Sequence, residues 1–218
     1  LNVVLCLDRA GLVGEDGATH QGAFDMASLR SIPNTIIAAP KDEIELKDLL
    51  YTGLEIKDGP LIIRYPRGIG EGRDWTRSVP ERTVIGKGER LADGKDVAII
   101  AIGPVVNRAL EAAERLRKET GEGPAIFNAR FLKPFDSGIL GEIPRFKHII
   151  TAEEGSLKGG LFSEISEYVA SNGLGISVKG LGIPDRFITQ ATAARQREIC
   201  GLSTERIYSE LVSLYKNN

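Results

Sequence analysis

The sequence predicts an α/β protein of two consecutive three-layer α/β domains with mostly parallel sheets. Three observations carry that prediction. Short apolar runs alternate with helix-like stretches through the first third of the chain. A stretch with no apolar period, residues 69–82, interrupts the alternation with Gly70, Gly72, Arg73, Asp74, Trp75, Arg77 and Pro80. Alternation then resumes and continues to the end, as expected of parallel sheets joined by right-handed crossovers.

The elements follow in order. Residues 3–7 form an apolar run expected of a strand buried on both faces. A glycine-rich loop occupies residues 8–22. A short helix is expected over 23–30 and a buried strand over 35–39, closed by Pro40. Residues 41–56 predict a helix, with Asp42, Glu43 and Glu45 in its first turn, where the helix dipole favours anions. Asp58-Gly59-Pro60 is turn chemistry, and a third strand covers 61–65. Residues 69–82 read as an interdomain linker, which divides the chain into 1–80 and 81–218. In the second part, strands are expected at 97–102, 125–127, 148–152 and 176–179. Helices are expected from Pro104 to about Thr120, over 160–170 and over 203–215. Pro104 suits a first helical position, and Ser203-Thr204-Glu205-Arg206 resembles a helix start.

Composition bounds the function. The 218 residues carry a formal net charge of −2, with 42% hydrophobic and 27% charged residues. That balance gives no electrostatic reason to expect nucleic acid or an anionic membrane as partner. No apolar run approaches a membrane span, and the start lacks the basic region of a signal peptide. Cys6 and Cys200 lie in apolar segments and are expected to be reduced, buried thiols of a cytoplasmic protein. Leu1 opens directly into a strand-like run and the only methionine is Met26. The expectation is therefore a piece of a longer chain whose N-terminal portion is missing.

The loop 8–22 is the densest in chemistry. It holds four glycines, Arg9, several acids and His20, one of two histidines. In a parallel sheet it emerges at the carboxyl edge, where ligands of such folds bind. Its glycines permit tight turns and close backbone approach to a ligand; a plain connection with glycines at its turns fits the same residues. Tyr65-Pro66-Arg67-Gly68 places a second arginine just past the third strand, on the edge that Arg9 occupies past the first. Two guanidinium forks on one edge suit a phosphate, although either arginine alone also fits a salt-bridged surface position. His20 has the chemistry of a proton donor or acceptor near neutral pH, with Asp16 four residues earlier placed to orient it. A hydrogen-bonded surface histidine is the alternative. Structural readings are favoured for His148, for the paired acids Glu153-Glu154 and for Gly182-Ile183-Pro184-Asp185-Arg186-Phe187. There is no metal-ligand spacing of Cys or His, no phosphate-binding P-loop and no serine nucleophile elbow.

Residues 8–11 through His20-Gln21-Gly22, then Tyr65-Pro66-Arg67-Gly68, then Gly182-Ile183-Pro184-Asp185 resemble, in the same order, the 1-deoxy-D-xylulose-5-phosphate synthase family of the transketolase superfamily. The resemblance implies a partial pyrimidine-binding domain followed by a transketolase C-terminal-like domain. It implies a transferase that uses thiamine diphosphate and Mg²⁺ to join pyruvate to D-glyceraldehyde 3-phosphate, and a homodimer. It implies substrate-binding roles for Arg9, Asp16, His20 and Arg67, with His20 also catalytic. It implies that the cofactor-activating glutamate, the metal ligands and the diphosphate site lie upstream, so that no residue here is assigned to cofactor or metal. This chain alone is then expected to bind no cofactor and to be inactive. Two other readings stay open: a non-catalytic dimerisation or scaffold module, and the β subunit of a 2-oxoacid dehydrogenase.

Overall fold

The computed structural model describes residues 2–57, 59–76 and 79–216; Leu1, Asp58 of the expected turn and Arg77 of the expected linker lie outside them. The first part runs β1 (Val4–Leu7), α1 (Asp25–Arg30), β2 (Ile36–Ala38), α2 (Glu43–Glu55) and β3 (Leu61–Arg64). Then come β4 (Glu89–Ala92), β5 (Asp96–Ile102), α3 (Val105–Thr120), β6 (Ala125–Asn128) and β7 (Phe131–Lys133). The chain ends with α4 (Ser137–Glu142), β8 (Phe146–Ser156), α5 (Leu161–Ser171), β9 (Ser177–Ile183), α6 (Ala193–Ile199) and α7 (Thr204–Lys216).

Two sheets result. The first has the order β1-β3-β2-β7 and the second β4-β6-β5-β8-β9. Within the first, β1, β3 and β2 are parallel and β7 is antiparallel to β2. In the second only β4 runs antiparallel. The expected α/β class with mostly parallel sheets is what the chain forms. No helix or strand occurs in residues 69–76 or 79–82.

The apolar runs place themselves by neighbours. β3 and β5 lie inside their sheets, and the side chains of Leu61, Ile62, Ile63, Ile99 and Ile100 are almost wholly buried. β1 departs from expectation. It has β3 as its only strand neighbour, so Leu5 is 44% exposed and Cys6 is exposed rather than buried. Cys200 is buried as expected, and burial pushes its thiol up to about 11. Helix ends obey local chemistry. Asp42 caps α2 by accepting the Glu45 N–H at 2.9 Å, and α3 ends at Gly121 in the left-handed region at φ 80°. Pro104 is the residue before α3 rather than its first turn. β8 extends well beyond the expected 148–152 because Glu153 and Glu154 continue it as buried residues.

One face of the first sheet packs Ile36, Ala38, Leu61 and Ile63 on Leu49 of α2. The opposite face contributes Ile37 and Ile62 to a cluster with Ala98, Ile100 and Phe127 of the second sheet and Leu161 of α5. The two sheets therefore share an apolar core. The far face of the second sheet is covered by α3 and α7 through Val106, Ala109, Ile207 and Leu211.

Candidate functional site

β1 and β3 are parallel neighbours, with Leu7 beside Arg64 in register. The chain leaves both strands at the same carboxyl edge, and the two arginines that follow meet there. Arg9 Nε lies 3.6 Å and Arg67 Nε 3.1 Å from Asp16 Oδ2. The Arg9 and Arg67 side chains are 42% and 49% exposed, and Arg9 Nη1 also donates to Asp8 Oδ2 at 2.8 Å. Arg9 Nε itself is buried and has no hydrogen-bond partner. Arg9 adopts φ 56°, a left-handed backbone uncommon outside glycine.

The loop between the arginines is closed like a bracelet. The Ala10 N–H donates to Tyr65 O at 3.0 Å, Gly11 N–H to Gly22 O at 3.0 Å, and Gly22 N–H to Arg9 O at 2.9 Å. Inside it are two 3₁₀ turns, Gly14–Asp16 and Ala18–His20, separated by Gly17 at φ 75°. That separation sets the two polar residues apart in role. Asp16 pairs with the arginines, whereas His20 Nδ1 lies 3.0 Å from Thr19 Oγ1. The expectation that Asp16 orients His20 is thereby corrected: the Asp16 carboxylate faces the two guanidinium groups instead. His20 is exposed at the rim of the loop.

The glycines also need correction. Gly11, at φ +76°, leaves room for protein and not for a ligand: a Cβ there would sit 2.6 Å from Glu154 Cβ and 2.8 Å from Glu154 O. A Cβ on Gly14 would come within 3.3 Å of Ala193 N. The loop is pressed against the second half of the chain.

Sequence reasoning passed over the residues that make this seat. Arg64, the last residue of β3, is 4% exposed. It pairs with Asp25 at 3.0 Å and donates to Gly22 O at 2.9 Å and Glu154 O at 3.0 Å. An arginine closing an apolar strand was the available signal. Glu154 is paired with Arg108 and, at 2.8 Å, with Arg197, and its other oxygen lies 3.5 Å from the Leu12 N–H. Burial opposes its ionisation, but Arg108 and Arg197 hold its carboxyl below the usual range. Glu153 is structural as expected, accepting the N–H groups of Leu161 and Phe162 at 2.9 Å each at the start of α5. A cleft of about 320 Å³ opens beside Arg67, walled by Tyr65 and Glu71 on one side and by Pro104 and Arg197 on the other.

Among the described residues, no group of three or more His, Cys, Asp or Glu side chains has the arrangement to hold a metal ion. No described helix is long and apolar enough to cross a membrane.

Two mostly parallel sheets, with the polar loop of the first half seated on Glu154 and Gln196 of the second, define the class: a two-unit α/β protein. Residues 86–207 match the C-terminal domain of transketolase, and residues 1–71 match the transketolase pyrimidine-binding domain. This chain belongs to the transketolase family. It is 49% identical over 98% of its length to 1-deoxy-D-xylulose-5-phosphate synthase of Phocaeicola vulgatus, and 48% identical over 97% to that of Bacteroides thetaiotaomicron. It spans about a third of the length of these relatives, 34% and 33%. Among solved structures, a split-gene transketolase described as an inactive β4 tetramer is similar at a TM-score of 0.82 and 32% identity, over 98% of this chain and 67% of that one. A transketolase mutant from Pichia stipitis, 19% identical, shares the fold at a TM-score of 0.72 over 100% of this chain and 31% of that one.

Proposed function

We propose that this chain forms the acceptor-phosphate end of the active site of a 1-deoxy-D-xylulose-5-phosphate synthase. The complete enzyme joins pyruvate to D-glyceraldehyde 3-phosphate, releasing CO₂ and 1-deoxy-D-xylulose 5-phosphate. Thiamine diphosphate supplies the decarboxylating and carbon-carrying chemistry when bound, with Mg²⁺, by the portion of the enzyme outside this chain. The observation that carries the reading is the convergence of Arg9 and Arg67 on Asp16 at the carboxyl edge of adjacent strands. Planar forks bind phosphate oxygens by paired, charge-assisted hydrogen bonds, and the Arg67 side chain is 49% exposed beside the cleft. In this reading Arg9 and Arg67 hold the acceptor phosphate and Asp16 sets the spacing of the forks. His20, at the rim of the same loop, exchanges a proton with the reacting end of the acceptor. The pyrimidine-binding unit ends near residue 80. The complete enzyme is a cytoplasmic homodimer, and this chain alone neither binds cofactor nor turns over.

Arg67→Ala in the complete enzyme tests this. The KM for D-glyceraldehyde 3-phosphate should rise by about tenfold or more, equivalent to one charge-assisted hydrogen bond, while that for pyruvate stays within about twofold. Equal rises in both would refute the phosphate role. A 2-oxoacid dehydrogenase β subunit is disfavoured because an acceptor without phosphate needs no paired forks. The open edge at β1, with Val3 40% and Leu5 44% exposed, favours association with further protein; it is compatible with the leading reading and supports a scaffold role alongside it.

A further inference from the structure

The loop that carries Asp16 is held from the other half of the chain at Leu12 by Glu154, at Gln21 by Ile188 O and, nearest Asp16, at Gly14 by one side chain. Gln196, on α6, is fully buried. Its Oε1 accepts the Gly14 N–H at 2.8 Å, and its Nε2 donates to Gly14 O at 3.1 Å and Thr189 O at 3.0 Å. Both Nε2 hydrogens and one lone pair of Oε1 are thus in use, and the amide can be turned only one way, because the Gly14 N–H requires an acceptor. Both polar groups of one peptide residue are taken by one amide, as a strand would take them. Gly14 opens the 3₁₀ turn that ends at Asp16, so the grip acts two residues from the carboxylate between Arg9 and Arg67. On the loop's own side, backbone bonds close residues 9–11 onto Gly22 and Tyr65 at the neck, and at the tip Gly17 N–H donates to Gly14 O and His20 N–H to Gly17 O, which shape the turns without tying them to the rest of the fold.

We propose that Gln196 is a positioning residue for the anion-binding loop. Through Gly14 it fixes where Asp16 stands, and through Asp16 the separation of the two guanidinium forks. This rests on the phosphate-clamp reading above. It also gives the second half of the chain a task in the reaction without contact between that half and the substrate. A buried amide that merely filled space would affect stability alone. A positioning amide must affect the phosphorylated acceptor selectively.

The test is Gln196→Met in the complete enzyme, which keeps length and removes the hydrogen-bonding capacity, with Arg67→Ala measured alongside. The expected result is a KM for D-glyceraldehyde 3-phosphate raised by about tenfold, since misplacement by about an ångström is costly to bound geometry, with the pyruvate KM unchanged. If Arg67→Ala raises the acceptor KM and Gln196→Met moves neither KM, or moves both equally, the positioning role is overturned and the clamp survives. If Arg67→Ala is also without selective effect, the clamp and the positioning role fall together. Should Gln196→Met not fold, amide exchange at Gly14 in the unaltered enzyme decides. Coupling is reciprocal, so saturating inorganic phosphate should slow that exchange several-fold, and an unchanged rate would overturn the proposal.

Discussion

Gly11 faces Glu154 of the second unit with no room for a side chain, and replacing it with alanine measures how firmly the loop is seated there. Two costs combine. At φ +76° a side chain pays the left-handed penalty, roughly 1–2 kcal/mol. The added Cβ would also lie 2.6 Å from Glu154 Cβ, 2.8 Å from Glu154 O and 2.9 Å from Glu154 Oε2. All three atoms belong to a buried strand residue whose carbonyl already accepts from Arg64 and whose carboxylate is held by two arginines, so the relief must come from the loop. Overpacking of this kind costs roughly 1–3 kcal/mol. The expected total is about 2–5 kcal/mol. Gly121→Ala is the control: its φ is +80° and no atom lies within 4 Å of the new Cβ, leaving the backbone penalty alone. Urea unfolding of both variants, compared at constant m, gives the difference directly. A Gly11→Ala loss no greater than that of Gly121→Ala would refute the claim that the loop is seated on Glu154.

Two further outcomes follow from buried charge. Arg64→Met should destabilise the chain by about 3–5 kcal/mol in urea unfolding, because it strands the Asp25 carboxylate and the carbonyls of Gly22 and Glu154. Glu153, pushed up to about 7 by burial against an ordinary 4.5, binds its proton more tightly folded than unfolded. Its contribution to stability is therefore complete below pH 4.5, declines as pH rises to about 7 and is flat above, by at most about 3 kcal/mol. Glu153→Gln should remove that component, so the difference in urea midpoint between variant and parent should change between pH 4.5 and 7 and not beyond.

The parts of the fold that could be read in advance are those whose side chains announce their surroundings. The aliphatic runs at 35–39, 61–65 and 97–102 read as strands and take interior places in their sheets, and Gly121 ends the amphipathic helix before it. The run at 3–7 looks the same in composition, yet β1 sits at a sheet edge with Leu5 exposed, because burial of a strand depends on neighbours that its own residues do not specify. The short elements β4, with sequence Glu-Arg-Leu-Ala, and β7, with Phe-Leu-Lys, have no period long enough to detect. At the site, Arg9 and Arg67 were legible because strand ends in a parallel sheet share an edge whatever the strand order. Glu154 and Gln196 were not. Their partners Leu12 and Gly14 lie 142 and 182 residues away, and no local pattern distinguishes a glutamate in a strand or a glutamine in a helix that will face a distant loop.

The charge count at the loop explains why a carboxylate stands between the two arginines. Two guanidinium groups drawn to one carboxylate repel each other, and like charges about 4 Å apart would do so by about 1 kcal/mol in water and about 4 kcal/mol at an effective dielectric of 20. With both side chains more than two-fifths exposed the true figure lies toward the lower end, but it would still splay the forks apart before any anion arrived. Asp16, within 3.6 Å of one and 3.1 Å of the other, opposes that repulsion, and Asp8, 2.8 Å from Arg9 Nη1, brings the four side chains to formal neutrality. The forks are thus pre-set, so less of an anion's binding energy is lost to ordering them, and the anion competes with the exposed Asp8 for Arg9. The arrangement works only if Asp16 is held in place by something other than the arginines. Otherwise an incoming phosphate, which carries more charge, would displace it and the spacing would be lost. The grip of the second unit on Gly14 supplies that independent hold. It makes the contact between the two halves of the chain part of the anion site itself, although the groups offered to the anion come from one half alone.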